Sequence, residues 1–438
     1  MARIRPFGAL RPRSDLAGRI CAPPYDVLSS DEAREMARNN PLSFLHVSKP
    51  EIDLAPSIDP HDVRVYEKGR ENFQKLICEG ALVQDKQPRF YLYRQSKSPH
   101  SQTGLVALAS CEDYERQIIK KHELTRPDKE EDRIRHIEAL NAQTGPAFLI
   151  YRSNTTINHL VASKILQTPD IDFIADDGVA HTAWTITDSD AITALEEAFH
   201  QIPNLYIADG HHRTAAAVRV WKKRNQGAMN RAPTPHDSLS SILHPPSSFF
   251  LSVLFPHDQV RILPYNRVVK DLHGLGLDGF VQRMRELGRF EIHAQSHPSR
   301  KPVRQAQDLS RAKPRGKHEI CIFLDGAWHL FRWNPDLVAL ENSIGRLDAA
   351  LLQKHVLAPL LGIDDPRTSK KIAFVGGLRG ATELEKLVRS DEYAVAFSMF
   401  PTSVDDLLQI ADQGGIMPPK STWFEPKLRD AMFCHMLD

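Results

Sequence analysis

Short apolar blocks bounded by Gly, Pro, Asn and Asp alternate along this chain with stretches in which apolar residues recur at helical spacing. Val65, Tyr66, Phe73, Leu76 and Ile77 predict a helix over 62–80, and Ile134, Ile137 and Leu140 predict another ending near Asn141. Ser29 or Ser30 is placed to cap a helix over 31–39, whose acidic start suits the helix dipole. Residues 43–47, 89–94 and 103–110 read as strands, the last two joined as a hairpin with a long tip at 95–102. Gly145-Pro146 breaks the chain before a strand at 147–151. Strands at 172–175 and 181–186, a helix at 191–200 and a strand at 205–208 follow, and then a helix whose apolar face carries Val218, Val220 and Trp221.

Beyond a polar segment at 225–246, expected as a loop or lid, the pattern predicts a buried strand at 248–255 and a helix at 277–287. A polar, basic loop is expected at 295–317. Residues 319–324 and 328–333 flank Asp325-Gly326, a strong hairpin signal. A helix at 343–356, a strand at 371–377, a helix at 381–389, a strand at 393–399 and a helix at 404–413 complete the reading. This alternation predicts a mixed α/β (α+β) protein.

Composition narrows the function classes. The 438 residues suffice for two or three domains, and 41% hydrophobic with 25% charged residues is the balance of a globular protein. A formal net charge of +1 gives no global attraction to nucleic acid or to an anionic membrane. The five cysteines are scattered and form no CxxC pair, so neither a zinc ribbon nor a dithiol redox motif is expected. Residues 1–6 carry no apolar leader, and no run is long enough to span a bilayer, so a cytoplasmic location is expected. The expected partner is a small molecule; the pattern specifies no oligomeric state.

The richest chemistry lies at Asp209-Gly210-His211-His212-Arg213, between the strand at 205–208 and Ala215-Ala216-Ala217. A glycine permits a tight strand-to-helix turn, and the unpaired N–H groups of a first helical turn favour an anion. Arg213 adds a two-pronged donor, and Asp209 is a candidate ligand for a metal bridging phosphate oxygens. An ordinary strand-turn-helix with surface histidines has the same outline.

The second concentration runs over 120–133. Glu123, beside His122, is a candidate acceptor for a substrate hydroxyl proton. A solvated charged loop opening a helix is the plainer reading of such a run. Asp26, in a proline-stiffened segment, Arg126, and the trio Lys420, Ser421 and Thr422 near the C-terminus are weaker candidates for substrate contacts. Turn formation at Asp26, and a tail pinned by Trp423 and Phe424, are the alternatives there.

Six segments together resemble the bacterial family DUF1015: RPFGALRP (5–12), CAPPYDVLS (21–29), HELTRPDKEEDR (122–133), RHIEALNAQTGP (135–146), LYIADGHHR (205–213) and MPPKSTWFEPKL (417–428). The DGHHR turn, with the upstream His-Glu, also resembles the free serine kinases of the ParB/sulfiredoxin-like superfamily. That resemblance implies a ParB/sulfiredoxin-like core at 106–245, with α/β additions at 1–105 and 246–438. It implies transfer of phosphate to a small hydroxylated metabolite, free L-serine first, from pyrophosphate or a nucleotide with Mg²⁺. Glu123 would then be the base, with His122 beside it, and Asp209, Gly210, His211, His212 and Arg213 would hold phosphate, Asp209 also the metal. A metal-dependent phosphohydrolase and a ParB-like nucleotide- or DNA-binding regulator are the alternatives. The near-neutral charge and the lack of a helix-turn-helix pattern weigh against DNA.

Overall fold

The computed structural model describes residues 1–228, 246–291 and 312–438. The segments expected as loops at 225–246 and 295–317 fall largely outside them. The protein is mixed α/β. It divides into two units, Met1–Val260 with Pro426–Asp438, and Arg261–Glu425. The three consecutive segments expected from the sequence are therefore replaced by two units, the first closed by the end of the chain. The reason is pairing across the expected boundary: Phe90–Lys97 and His100–Ser110 share one sheet with Ala147–Tyr151, Leu205–Asp209 and Phe249–Pro256.

That sheet of the first unit runs in the order Ile119–Lys120, Leu205–Asp209, Ala147–Tyr151, Phe249–Pro256, His100–Ser110, Phe90–Lys97, Ala180–Ile186, Ile171–Ile174, with Ile4–Arg5 added against His100–Ser110. Two pairings are parallel: Leu205–Asp209 with Ile119–Lys120, and Phe249–Pro256 with Ala147–Tyr151. Phe249–Pro256 is buried at every position and is apolar apart from Ser252, whose hydroxyl donates to Ala107 O at 2.9 Å. Leu149, Tyr151, Leu205, Ile207, Phe250 and Leu254 pack in one core cluster with Ala217 and Val218 of the helix His211–Ala228. Each large apolar side chain so buried contributes ~1.5–3 kcal/mol.

Two local expectations are corrected. The hairpin has no long tip: its ladder continues to the pair Lys97 and His100, leaving Ser98-Pro99 as the turn. The polar residues that suggest a loop bond across the ladder instead, Ser96 Oγ to Ser101 Oγ at 2.8 Å and Gln102 Nε2 donating to Gln95 Oε1 at 3.0 Å. Residues 43–47 are not a strand; Leu45–Ser48 is a helical turn. A five-residue apolar run does not distinguish the two. The turn buries Phe44, Leu45 and Val47 together in the cluster that holds Phe73 of the helix Val63–Cys78.

The C-terminal segment forms a strap on the first unit. Asp430 and Ala22 exchange backbone hydrogen bonds, as do Cys434 and Leu10, and His435–Met436 pairs with Ala142–Gln143. Leu428, Met432, Phe433 and Leu437 are buried.

The second unit has its own antiparallel sheet, in the order Gly288–Glu291, Ala327–Trp333, Glu319–Leu324, Val395–Met399, Tyr265–Val269, Ile372–Gly376. Its hairpin turns through Asp325 and Gly326 at φ 49° and 74°, the pair of positive angles that the Asp-Gly signal predicts. The helix expected at 343–356 is the shorter Asp348–Leu352, continued by a wider π turn at Gln353–Leu357. All five cysteines are free. Among the described residues, no helix is long and apolar enough to cross a membrane.

Candidate functional site

The parallel pairing of Ile119–Lys120 with Leu205–Asp209 brings the two polar concentrations of the sequence to one edge of the first unit's sheet. Both chains leave the sheet at the carboxyl ends of these strands, the position where open α/β sheets bind ligands. One continues as Lys121-His122-Glu123 and the other as Asp209-Gly210 and the helix His211–Ala228.

Gly210 has φ +88°, and a Cβ there would lie 3.1 Å from Arg213 Nε and 3.4 Å from Ala147 Cα. Only glycine meets both the angle and the close approach. The helix then starts at once, with Thr214 N–H donating to Gly210 O at 2.9 Å. The N–H groups of its first turn precede that bond and lie where an anion is favoured.

Asp209 is held between two cations. Arg213 Nη2 donates to its Oδ2 at 3.0 Å, and Lys427 Nζ, carried in by the strap, lies 3.3 Å from Oδ1. Burial opposes ionisation of Asp209, but Lys427 and Arg213 outweigh it and hold the carboxyl below its usual range. Arg213 is fixed from its other side by Nη1 donating to Pro146 O at 2.7 Å. Arg213 and Lys427 both face Asp209, while Asp26 and Asp430 act on Arg213 as further negative neighbours.

Burial disfavours the charged form of the two histidines at the turn. The rings of His122 and His211 stand edge to face, 4.6 Å between centroids. Burial lowers His122 to about 4, against the pull of Asp209 and of a backbone hydrogen bond with Ile207. Burial and the neighbouring His122 push His211 well below the ordinary imidazole range. Glu123, next to His122 in the chain, is half-exposed. His212 Nε2 accepts from Arg126 N–H at 3.1 Å, which ties the His-Glu segment to the DGHHR turn and places the proton of a neutral His212 on Nδ1.

The remaining candidates separate. The Arg126 side chain is exposed and pairs with Asp128. Asp26 is an electrostatic neighbour of Arg213 and of Asp430, so the proline-stiffened segment does reach this region. Lys420, Ser421 and Thr422 belong to the second unit. There Ser421 Oγ donates to Pro418 O, and Lys420 Nζ lies over the Tyr265 ring. The groups gathered at Asp209 all come from the first unit. Sequence reading missed Lys427 and Asp430. The local signal for Lys427 was membership of the segment 417–428, and Asp430 lies two residues past it, because the approach of residue 427 to residue 209 is a property of the strap.

Of the residues expected to hold Mg²⁺, Asp209 is the one carboxylate at the turn, and a Mg²⁺ there would share it with Arg213 and Lys427 and take its other ligands from phosphate and water. Both oxygens of Asp209 already face cations, and among the described residues no three His, Cys, Asp or Glu side chains converge as metal ligands.

A family model described as "Protein of unknown function (DUF1015)" matches residues 4–350. The chain belongs to the DUF1015 family. The match contains the His-Glu segment and the DGHHR turn, whereas Lys427 and Asp430 lie beyond it. No curated protein matches the sequence. Among solved structures, this DUF1015 protein is similar to a free serine kinase variant in complex with AMP, at 13% identity and a TM-score of 0.35, covering 73% of this chain and 87% of that one. It is also similar to a conserved hypothetical protein from Pyrococcus furiosus, at 13% identity and a TM-score of 0.35, covering 74% and 93%. A third is SbnI with C-terminal truncation from Staphylococcus aureus, at 11% identity and a TM-score of 0.37, covering 74% and 85%.

Proposed function

We propose that this protein is a phosphotransferase that moves a phosphoryl group from pyrophosphate or a nucleotide to the hydroxyl of a small metabolite, with free L-serine as the first acceptor to test. The observation that carries this reading is the strand pairing that sets Glu123 and the Asp209–Arg213 turn at one sheet edge. The motif resemblance to free serine kinases supports the choice of acceptor.

In this scheme the donor phosphate rests on the N–H groups that open the helix His211–Ala228, with Arg213 and Lys427 neutralising its charge. The acceptor oxygen attacks the terminal phosphorus as the bond to the leaving phosphate or nucleoside phosphate breaks. The hydroxyl proton passes to the Glu123 carboxylate. Phosphoryl transfer asks mainly for positioning and charge neutralisation, and these residues are of the types that supply both. Any divalent cation would arrive with the donor as part of the substrate.

The test is a donor and acceptor screen on the purified protein. Pyrophosphate, ATP and ADP are each combined with L-serine and other hydroxylated metabolites, and phosphorylated products are identified by mass spectrometry. Phosphoserine from at least one donor is expected. Donor consumption with no acceptor modified would favour the hydrolase, and no consumption at all would overturn the reading.

A further inference from the structure

Arg213 also lines a cavity of about 40 Å³ in the first unit, together with Tyr25, Ser48, Arg133, Thr144 and Asp430. One water needs ~10–15 Å³ of such space and occupies ~30 Å³ in the liquid. The cavity therefore has room for about three waters, or ~90 Å³ of matter. That is the size of a three-carbon amino acid and far below that of a nucleotide.

The polar groups around it are unevenly satisfied. Arg133 donates to Asp132 Oδ2 through Nε at 3.0 Å and Nη2 at 2.7 Å, while Nη1 makes no hydrogen bond among the described residues. Its guanidinium is set by the Tyr25 ring, 3.7 Å from the centroid to Cζ. Asp430 is 3% exposed, and its Oδ1 has no partner. Ser48 Oγ, also buried, has none. Asp430 is packed so closely on Gly145 that a Cβ there would lie 2.6 Å from Oδ1, so a side chain at 145 would displace the carboxylate. Arg133 is matched by Asp132, and Arg213 with Lys427 by Asp209. Asp430 makes no ion pair within 4 Å among the described residues; Arg213 and Arg133 act on it from further off, and the Tyr25 backbone N–H bonds to it.

As a carboxylate such a group is costly unless a cation meets it, and without one it tends to keep its proton. A cation alone would leave the outer guanidinium edge of Arg133 and the Ser48 hydroxyl unused. A small zwitterion uses all three. We infer that this cavity is the acceptor pocket, and that it binds a small α-amino acid with the ammonium group on Asp430 and the carboxylate on Arg133. The ligand's side chain then lies toward Arg213, the one residue that both lines the cavity and bonds Asp209 at the phosphate turn. The identification of the ligand as an acceptor rests on the phosphotransferase reading; the site itself rests on the cavity and its unpaired groups.

Calorimetric titration of L-serine into the full-length protein, with no phosphoryl donor present, tests the pocket apart from the reaction. Asp430→Asn keeps the shape and removes the charge, and it is expected to weaken L-serine ~10–100-fold, the equivalent of losing one charge-assisted hydrogen bond. Ala217→Val, on the cavity wall, narrows the space without touching a charge and is expected to weaken L-serine at least tenfold. Titration of pyrophosphate checks that each variant keeps its fold and its phosphate turn. Should Asp430→Asn fail to fold, Ala217→Val decides. Unchanged L-serine affinity in the folded variants overturns the assignment, as does the absence of amino-acid binding to the parent protein. Failure of this kind combined with phosphorylation of some other hydroxylated compound would remove the pocket and leave the phosphotransferase standing.

Discussion

Replacing Asp430 with asparagine should stabilise the first unit, and more so as the pH rises. Burial raises the Asp430 carboxyl to about 7, with Arg213 and Arg133 pulling it down and Asp26 pushing it up. In the unfolded chain the group titrates near the ordinary ~3.9 of an aspartate. The folded state therefore holds a proton that the unfolded state has lost between these two values, and stability contributed by this group falls as pH rises through that window. At ~1.4 kcal/mol per pH unit, the loss between pH 5 and pH 7 is about 3 kcal/mol, with little change above. Asparagine has no such titration. The difference in unfolding free energy, variant minus parent, should thus grow by up to about 3 kcal/mol from pH 5 to pH 8. Urea unfolding followed by circular dichroism at both values measures it. A difference that stays constant with pH, or that shrinks, would refute the claim that Asp430 is buried without an ion partner. Saturating L-serine should reduce the growth, because a bound ammonium group offsets the same buried charge.

Other substitutions address other links in the argument. Gly210→Ala forces a side chain into φ +88° and against Arg213 and Ala147, and should cost ~1–3 kcal/mol and weaken pyrophosphate binding; an unaltered melting temperature would contradict the turn geometry. Lys427→Met removes one of the two cations at Asp209 and should weaken pyrophosphate about tenfold by calorimetry while the fold is kept; unchanged donor affinity would take Lys427 out of the phosphate site. Deleting 426–438 strips out Leu428, Met432, Phe433 and Leu437, worth ~6–12 kcal/mol at ~1.5–3 each, comparable to the whole stability of a domain. Loss of the first unit's cooperative unfolding is expected, and a truncated chain that still unfolds cooperatively at the parent's midpoint would show that the strap is dispensable.

The elements were legible wherever local chemistry decides them. Ser29 caps its helix through a box with Glu32, Asn141 ends another at φ 52°, and Asp325-Gly326 turns the hairpin as its sequence says. Asp209-Gly210 likewise announces its turn, since one residue supplies the angle and the next positions begin the helix. The errors came where local pattern is silent. Gln95 and Gln102 look like loop residues until each is seen to be the other's hydrogen-bond partner. The short run around Phe44 takes its conformation from Phe73, 29 positions away. Lys427 and Asp430 could not be assigned from their neighbours in sequence, because their roles arise only when the strap returns to residues 22 and 209. The trio Lys420, Ser421 and Thr422 had the more suggestive residue types, yet it belongs to the second unit.

Phosphoserine formation by the Glu123→Gln protein, set against the parent, addresses the central claim most directly. L-serine is supplied with pyrophosphate, ATP and ADP in turn, product is measured by mass spectrometry, and pyrophosphate binding is measured separately. The parent should form phosphoserine with at least one donor, while Glu123→Gln should still bind pyrophosphate and form product at least ~100-fold more slowly, the usual contribution of a positioned base. Equal rates in the two proteins would contradict Glu123 as the base, and a parent protein that phosphorylates no hydroxylated metabolite from any donor would contradict the account as a whole.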